Sequence, residues 1–266
     1  YLISIFNSHI FTIGQQQDSH EFFNWLISEL NSCAEHFTSP SKKNRTGFSF
    51  MNFQGLMMQN THCSGCNNKT IKQDLFSDIK IPLCYDKSEE GLEFSDFINK
   101  TELLCDENQF YCEQCSKYTD ASMQNVITTS PQLLVIHIQA HYTRSFKEDT
   151  NLFQVPLTLK YETGASSSSY SSAYKLYSLI IHQGSNISSG HYYSVINTKN
   201  LEFKILTRRK NCCPCCNGLN EYKDEIDWIK VDDEKAKAIN FVNLSKLLVD
   251  KKIIDVPYLA FYVKDK

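Results

Sequence analysis

Between residues 16 and 36 apolar side chains recur at Phe22, Leu26, Leu30 and Cys33, with Phe23 and Ile27 beside them, which is the spacing of one buried helical face. Asp18 and Glu21 fall in the first turn of this predicted helix, where the positive end of the helix dipole favours carboxylates, and Pro40 follows its end. A polar stretch, 39–47, breaks the pattern. From about 48 to 126 short apolar pieces alternate with paired cysteines, which predicts a separate subdomain with a small amphipathic helix near 94–98. After Pro131 the pattern turns to strands at 133–138, 176–181, 192–196, 228–231 and 259–263, several of them rich in β-branched and aromatic residues. A mostly antiparallel sheet is expected there. Two surface excursions interrupt it: a serine-rich run at 166–172 and an insertion at about 199–227 that holds the sequence CCPCC.

The 266 residues can bury a sizeable core as one elaborate domain or as a domain with a large subdomain. With 41% hydrophobic, 21% charged and 12% aromatic residues, the composition is that of a folded globular protein. The net charge of −3 arises from 27 basic and 30 acidic residues mixed along the chain, which argues against a nucleic acid or an anionic membrane held by bulk electrostatics. Apolar runs such as 133–138 are far shorter than the roughly 18 residues of a membrane span. There are eleven cysteines, and most cluster at CxxC spacing, a pattern of metal ligation in a reducing compartment. The cytosol or the nucleus is expected.

Three constellations carry chemistry. Cys63 with Cys66, and Cys112 with Cys115, form two CxxC pairs in THCSGCN and FYCEQCS. Each pair offers two thiolates from one tight knuckle, and four thiolates close a tetrahedral zinc site with no position left for a catalytic water. A structural zinc ion is expected. His191, in SSGHYYSVI, stands at a strand start behind a glycine that leaves space, where an imidazole suits general-base work at neutral pH. Taken alone, a histidine beside a glycine is more often a satisfied structural residue. Asp232 and Asp233, in WIKVDDEKA, offer a carboxylate to orient such a base, or else a solvated turn ending a strand.

The order of motifs resolves these alternatives. QQQDSHEFFNWL, the two CxxC pairs, SGHYYS, WIKVDD and the closing YLAFYV resemble, in sequence, the ubiquitin-specific proteases, a papain-like family of thiol proteases, over about residue 14 to the end. The resemblance implies an α+β fold with thumb helices (1–47 being the remainder of the thumb), fingers carrying the zinc ribbon (48–130) and an antiparallel β-sheet palm (131–266). It implies cleavage of the isopeptide bond at the C-terminus of ubiquitin, with His191 as base, Asp232 as orienting residue and Asp233 as an alternate. Asp18 and Glu21 match positions that bind the basic tail of ubiquitin in that family. The partners implied are ubiquitin and ubiquitinated proteins, with no nucleic acid and no membrane.

The chain departs from the family pattern in two places. The family's cysteine box precedes the QQD-type helix, whereas the fourteen residues before Gln15 contain no cysteine. The expectation is therefore a partial protease domain whose nucleophile lies outside this chain, inactive as it stands. The alternative is a non-catalytic ubiquitin-binding scaffold that has lost its cysteine box. The family's lysine and arginine after the first palm strand are also replaced, in LLVIHIQAHYTR. Cys33 falls on the expected buried helical face and Cys84 and Cys105 within the fingers, so none fits the nucleophile's place. CCPCC, with Cys212, Cys213, Cys215 and Cys216, has no counterpart in the pattern and reads as an exposed, oxidisable loop.

Overall fold

The computed structural model describes residues 11, 14–37, 52–83, 98, 101–140, 155–163, 170–186, 189–198, 228–239 and 255–265. The fingers are built from β1 (Gly55–Cys63), β2 (Lys69–Phe76), β4 (Thr101–Leu104) and β7 (Ala121–Thr129), with β3 (Ile79–Leu83) leaving them, and a short ribbon of β5 (Phe110–Cys112) and β6 (Lys117–Thr119). Their sheet runs in the order β2-β1-β7-β4 and is antiparallel throughout. β2 is exposed along nearly its whole length and β4 along most of its own, so this sheet has little apolar core beyond its base. At that base Ile127 is fully buried, and Met57 and Phe76 pack against the main core.

The palm is an eight-stranded sheet of β3, β8 (Leu133–Ala140), β9 (Thr158–Thr163), β10 (Tyr170–Asn186), β11 (Ser189–Asn197), β12 (Trp228–Asp232), β13 (Lys235–Ile239) and β14 (Asp255–Lys264). Its order is β13-β12-β11-β10-β14-β8-β3, with β9 paired to β10. Every strand predicted after Pro131 is present and most run longer than expected, because the ladder hydrogen bonds extend pairing past the apolar stretch that the pattern marks. The sheet is antiparallel except where β3 joins β8 in parallel, so residues 79–83, within the stretch read as fingers, belong to the palm sheet. The serine-rich run also differs from expectation. Ser172 is 3% exposed within β10 and its hydroxyl meets Ser130 Oγ at 3.1 Å.

The helix α1 (Ser19–Phe37) lies over one face of the palm sheet. It starts later than expected because Asp18 is its cap. Asp18 Oδ1 accepts the backbone N–H groups of His20 at 2.7 Å and Glu21 at 3.0 Å. The buried stripe is also displaced from the predicted one. Phe23 and Ile27 are buried against Val135, Tyr258 and Leu259, whereas Phe22 is 38% exposed beside Phe11 and Trp25. Of the predicted helix at 94–98 only Ile98 is described, and the insertion with CCPCC lies outside the described residues, as do the side chains of Cys33 and Cys84.

Candidate active site and thiolate cluster

The sheet register assembles the first site. In β11, His191 and Tyr193 alternate onto one face, and β12 brings Lys230 and Asp232 to the facing positions, since Ser194 pairs with Val231 and Val195 with Lys230. His191 Nε2 lies 2.7 Å from Asp232 Oδ1, which commits that nitrogen as donor and leaves Nδ1 as proton acceptor. The hydrogen bond from His191, and then Lys230, hold the Asp232 carboxyl below its usual range. Asp233 is different. It is the first residue of the β12–β13 turn with φ 51°, a left-handed conformation that aspartate tolerates, and its carboxylate is 79% exposed and 4.0 Å from His191. The pair thus separates: Asp232 faces the imidazole and Asp233 sits in the exposed turn.

The glycine before His191 has a sharper reason than space for the base. A Cβ at Gly190 would stand 2.6 Å from the Gln183 carbonyl and closer still to the His182 ring. Its carbonyl accepts a 2.6 Å hydrogen bond from Gln16 Nε2, which ties the start of α1 to the histidine strand across the fold. Asp18 faces inward here: its Oδ2 accepts from the Tyr258 hydroxyl, so its half-buried carboxylate is engaged on both oxygens. Of the two helix-start carboxylates only Glu21 is exposed, because the cap geometry turns Asp18 toward the sheet.

At the far end of the fingers the four cysteines converge. Cys63 and Cys115 sulfurs are 3.8 Å apart, Cys66 and Cys112 3.7 Å, and all four lie within 4.8 Å of one another. A tetrahedral site with metal–sulfur bonds of about 2.3 Å has sulfur–sulfur edges of about 3.8 Å, so these residues fit a bound ion. The two knuckles match in backbone as well: Asn67 and Ser116, each directly after its CxxC pair, have φ of 56° and 53°. A hydrogen bond with the Thr119 hydroxyl brings the Cys63 thiol down to about 6, while hydrogen bonding to Cys66 and desolvation push Cys115 up to about 12. Four neighbouring thiols cannot ionise together without a counter-charge, which is the role a bound cation would fill.

A third group, His20, Asp78 and His137, was not picked out by motif because its members are scattered in sequence. His20 Nε2 lies 3.1 Å from Asp78 Oδ2, and its ring stacks on His137 with centroids 3.9 Å apart. Burial pushes His137 down to about 4, so it is neutral at ordinary pH. Stacked rings share faces rather than aim lone pairs at one point, and the group anchors α1 to the palm.

The family model described as ubiquitin carboxyl-terminal hydrolase matches residues 2–262. The chain belongs to that family. Among its relatives, the probable ubiquitin carboxyl-terminal hydrolase 9 of Schizosaccharomyces pombe is 23% identical over 96% of this chain and 40% of its own length. Ubiquitin carboxyl-terminal hydrolase 13 of Saccharomyces cerevisiae is 23% identical over 95% of this chain and 32% of its own. The chain thus spans well under half of either relative. The structure of the SAGA Ubp8/Sgf11/Sus1/Sgf73 deubiquitinase module bound to ubiquitin aldehyde shares the fold with a TM-score of 0.62 at 18% identity, over 94% of this chain and 50% of that one. Within this hydrolase fold His191 and Asp232 form a hydrogen-bonded pair on neighbouring strands. Among the described cysteine side chains none is hydrogen-bonded to His191; four of the five form the thiol cluster and Cys105 is exposed in the fingers. Nor is any described helix long and apolar enough to cross a membrane.

Proposed function

We propose that this chain supplies the base and orienting residues of a thiol protease that hydrolyses the bond at the C-terminus of ubiquitin. The observation that carries the proposal is the 2.7 Å contact of His191 Nε2 with Asp232 Oδ1 in a chain of this hydrolase family. Asp232 holds the imidazole in the tautomer whose Nδ1 takes the proton of a cysteine thiol. The thiolate attacks the carbonyl at the ubiquitin C-terminus, the His191 imidazolium gives its proton to the departing amine as the carbon–nitrogen bond breaks, and water, deprotonated by the same imidazole, then hydrolyses the thioester to release ubiquitin's carboxylate and the thiol. None of the described cysteines lies at His191 to serve as this nucleophile. An electrophilic ubiquitin probe tests this: the full-length protein is expected to form a covalent adduct and the chain alone none. No adduct on the full-length protein moves it to the non-catalytic ubiquitin-binding scaffolds, and an adduct on the chain alone means that another cysteine, CCPCC first, serves as nucleophile.

Zinc is the ion that suits four converging thiolates, and its closed coordination makes it structural. A reducing cytosol or nucleus accompanies this assignment, since the ligands must stay reduced. Ubiquitin's basic tail docks at the start of α1, where Glu21 is exposed and Asp18 adds its charge from beneath. Glu21→Gln is expected to weaken ubiquitin binding by about two- to fivefold at low salt, the worth of one exposed pair, and to leave the thermal midpoint unchanged. Equal affinity in calorimetric titrations at low salt would return Glu21 to an ordinary helix-start carboxylate.

A further inference from the structure

We infer that Lys230 is a positioning residue for the dyad, holding the Asp232 carboxylate so that Oδ1 stays on His191; this rests on the protease reading of those two residues. Asp232 is the last residue of β12, directly before the turn, and an aspartate's terminal torsion is soft, so one hydrogen bond leaves the carboxylate free to swing. Here both oxygens are engaged. Oδ1 faces His191 at 2.7 Å and Oδ2 meets Lys230 Nζ at 3.0 Å, so two partners define the carboxylate plane.

Lysine is ordinarily a poor positioning group because its four-carbon stem is mobile. Three neighbours hold this one. Its ammonium lies 3.7 Å from the centroid of the Tyr193 ring, a cation–π contact on a residue only 3% exposed. The Tyr193 hydroxyl donates at 3.0 Å to Asp255 Oδ2, so Asp255, 4% exposed at the start of β14, fixes from the interior the ring over which the ammonium sits. The third is Asp232 itself. Another lysine–aspartate pair at the same i, i+2 spacing shows what is special here. Lys72 and Asp74 in β2 meet at 2.8 Å with side chains 67% and 57% exposed, whereas Lys230 and Asp232 are 23% and 34% exposed. The first is a solvated surface pair of little consequence. The second joins the buried Tyr193–Asp255 pair to the reactive histidine.

The test uses the full-length protein and a fluorogenic ubiquitin C-terminal amide. Lys230→Met is expected to lower kcat tenfold or more and to leave KM within twofold, since Lys230 acts on the dyad and not on ubiquitin. Lys230→Arg, whose guanidinium can bridge the same carboxylate and ring, is expected to recover kcat to within threefold of wild type. Two-bond nitrogen–proton NMR of the His191 ring gives a readout that a merely structural role would not move: the Nε2–H tautomer dominates in wild type, and the two tautomers mix in Lys230→Met. Should Lys230→Met precipitate, Lys230→Gln, polar but uncharged, is read in its place. An unchanged kcat with an unchanged tautomer in an active wild-type background overturns the inference. A wild type that hydrolyses nothing sinks the protease reading instead, and the tautomer comparison then decides the role of Lys230 by itself.

Discussion

Replacing His191 by alanine in the full-length protein is expected to slow hydrolysis of ubiquitin conjugates by about 10³- to 10⁴-fold, the scale on which a cysteine or serine nucleophile loses its base. The loss falls on kcat, because the imidazole accepts a proton only as the reaction proceeds. The aspartates separate in the same assay. Asp232→Ala removes the partner of Nε2 at 2.7 Å and is expected to cost about 10²- to 10³-fold through the wrong tautomer and a mobile ring. Asp232→Asn is milder, since an amide oxygen still accepts the Nε2 proton, as in the cysteine–histidine–asparagine arrangement of papain-like proteases. Asp233→Ala, at a 79% exposed turn position, is expected to change the rate less than about threefold. If Asp233→Ala were the more damaging of the two alanine variants, the orienting role would pass to Asp233.

Loss of the metal has the second large effect. A structural zinc site contributes about 10–16 kcal/mol of folding free energy in small zinc domains at neutral pH, comparable with the whole stability of an ordinary domain. The fingers have little else at their tip, since β2 and β4 are largely exposed and the buried residues Ile127, Met57 and Phe76 reach only the base. Purified protein is expected to carry one equivalent of zinc by metal analysis, and Cys112→Ser to carry less than half. Hydrogen exchange should then show β1, β2, β4 and β7 losing protection while β10 and β14, deep in a core without these cysteines, keep it. Less than half an equivalent in wild type, or full zinc in Cys112→Ser, would remove the metal from the account of this fold.

Much of this architecture was legible in the chain. The strands after Pro131 follow from β-branched and aromatic runs that bury on a pleated surface, and the CxxC spacing marks its knuckles without any knowledge of the fold. Motif order singled out His191 with Asp232, and Asp233 as alternate, and the register places Asp232 on the imidazole. The helix was legible in existence but not in rotation. Phe22 and Phe23, or Leu26 and Ile27, are adjacent apolar residues about 100° apart on a helix, and only docking against Val135, Tyr258 and Leu259 chose the second of each pair.

The sequence by itself determined which residue types were available for chemistry: four thiols in two knuckles, an imidazole behind a glycine, and two aspartates at a strand end. Local chemistry sets these, through spacing along one stretch of backbone. The tertiary structure decided which of them act. Strand register brought Asp232 to within 2.7 Å of His191 and left Asp233 in the turn at 4.0 Å, capping turned Asp18 inward to Tyr258, and the docking of α1 on the sheet gathered His20, Asp78 and His137 from three separate segments. Lys230 belongs to the same class, because its link to Tyr193 and Asp255 crosses strands that lie far apart in sequence. Contacts of that kind depend on pairing between distant strands, and in a sheet a shift of one residue carries every side chain to the other face.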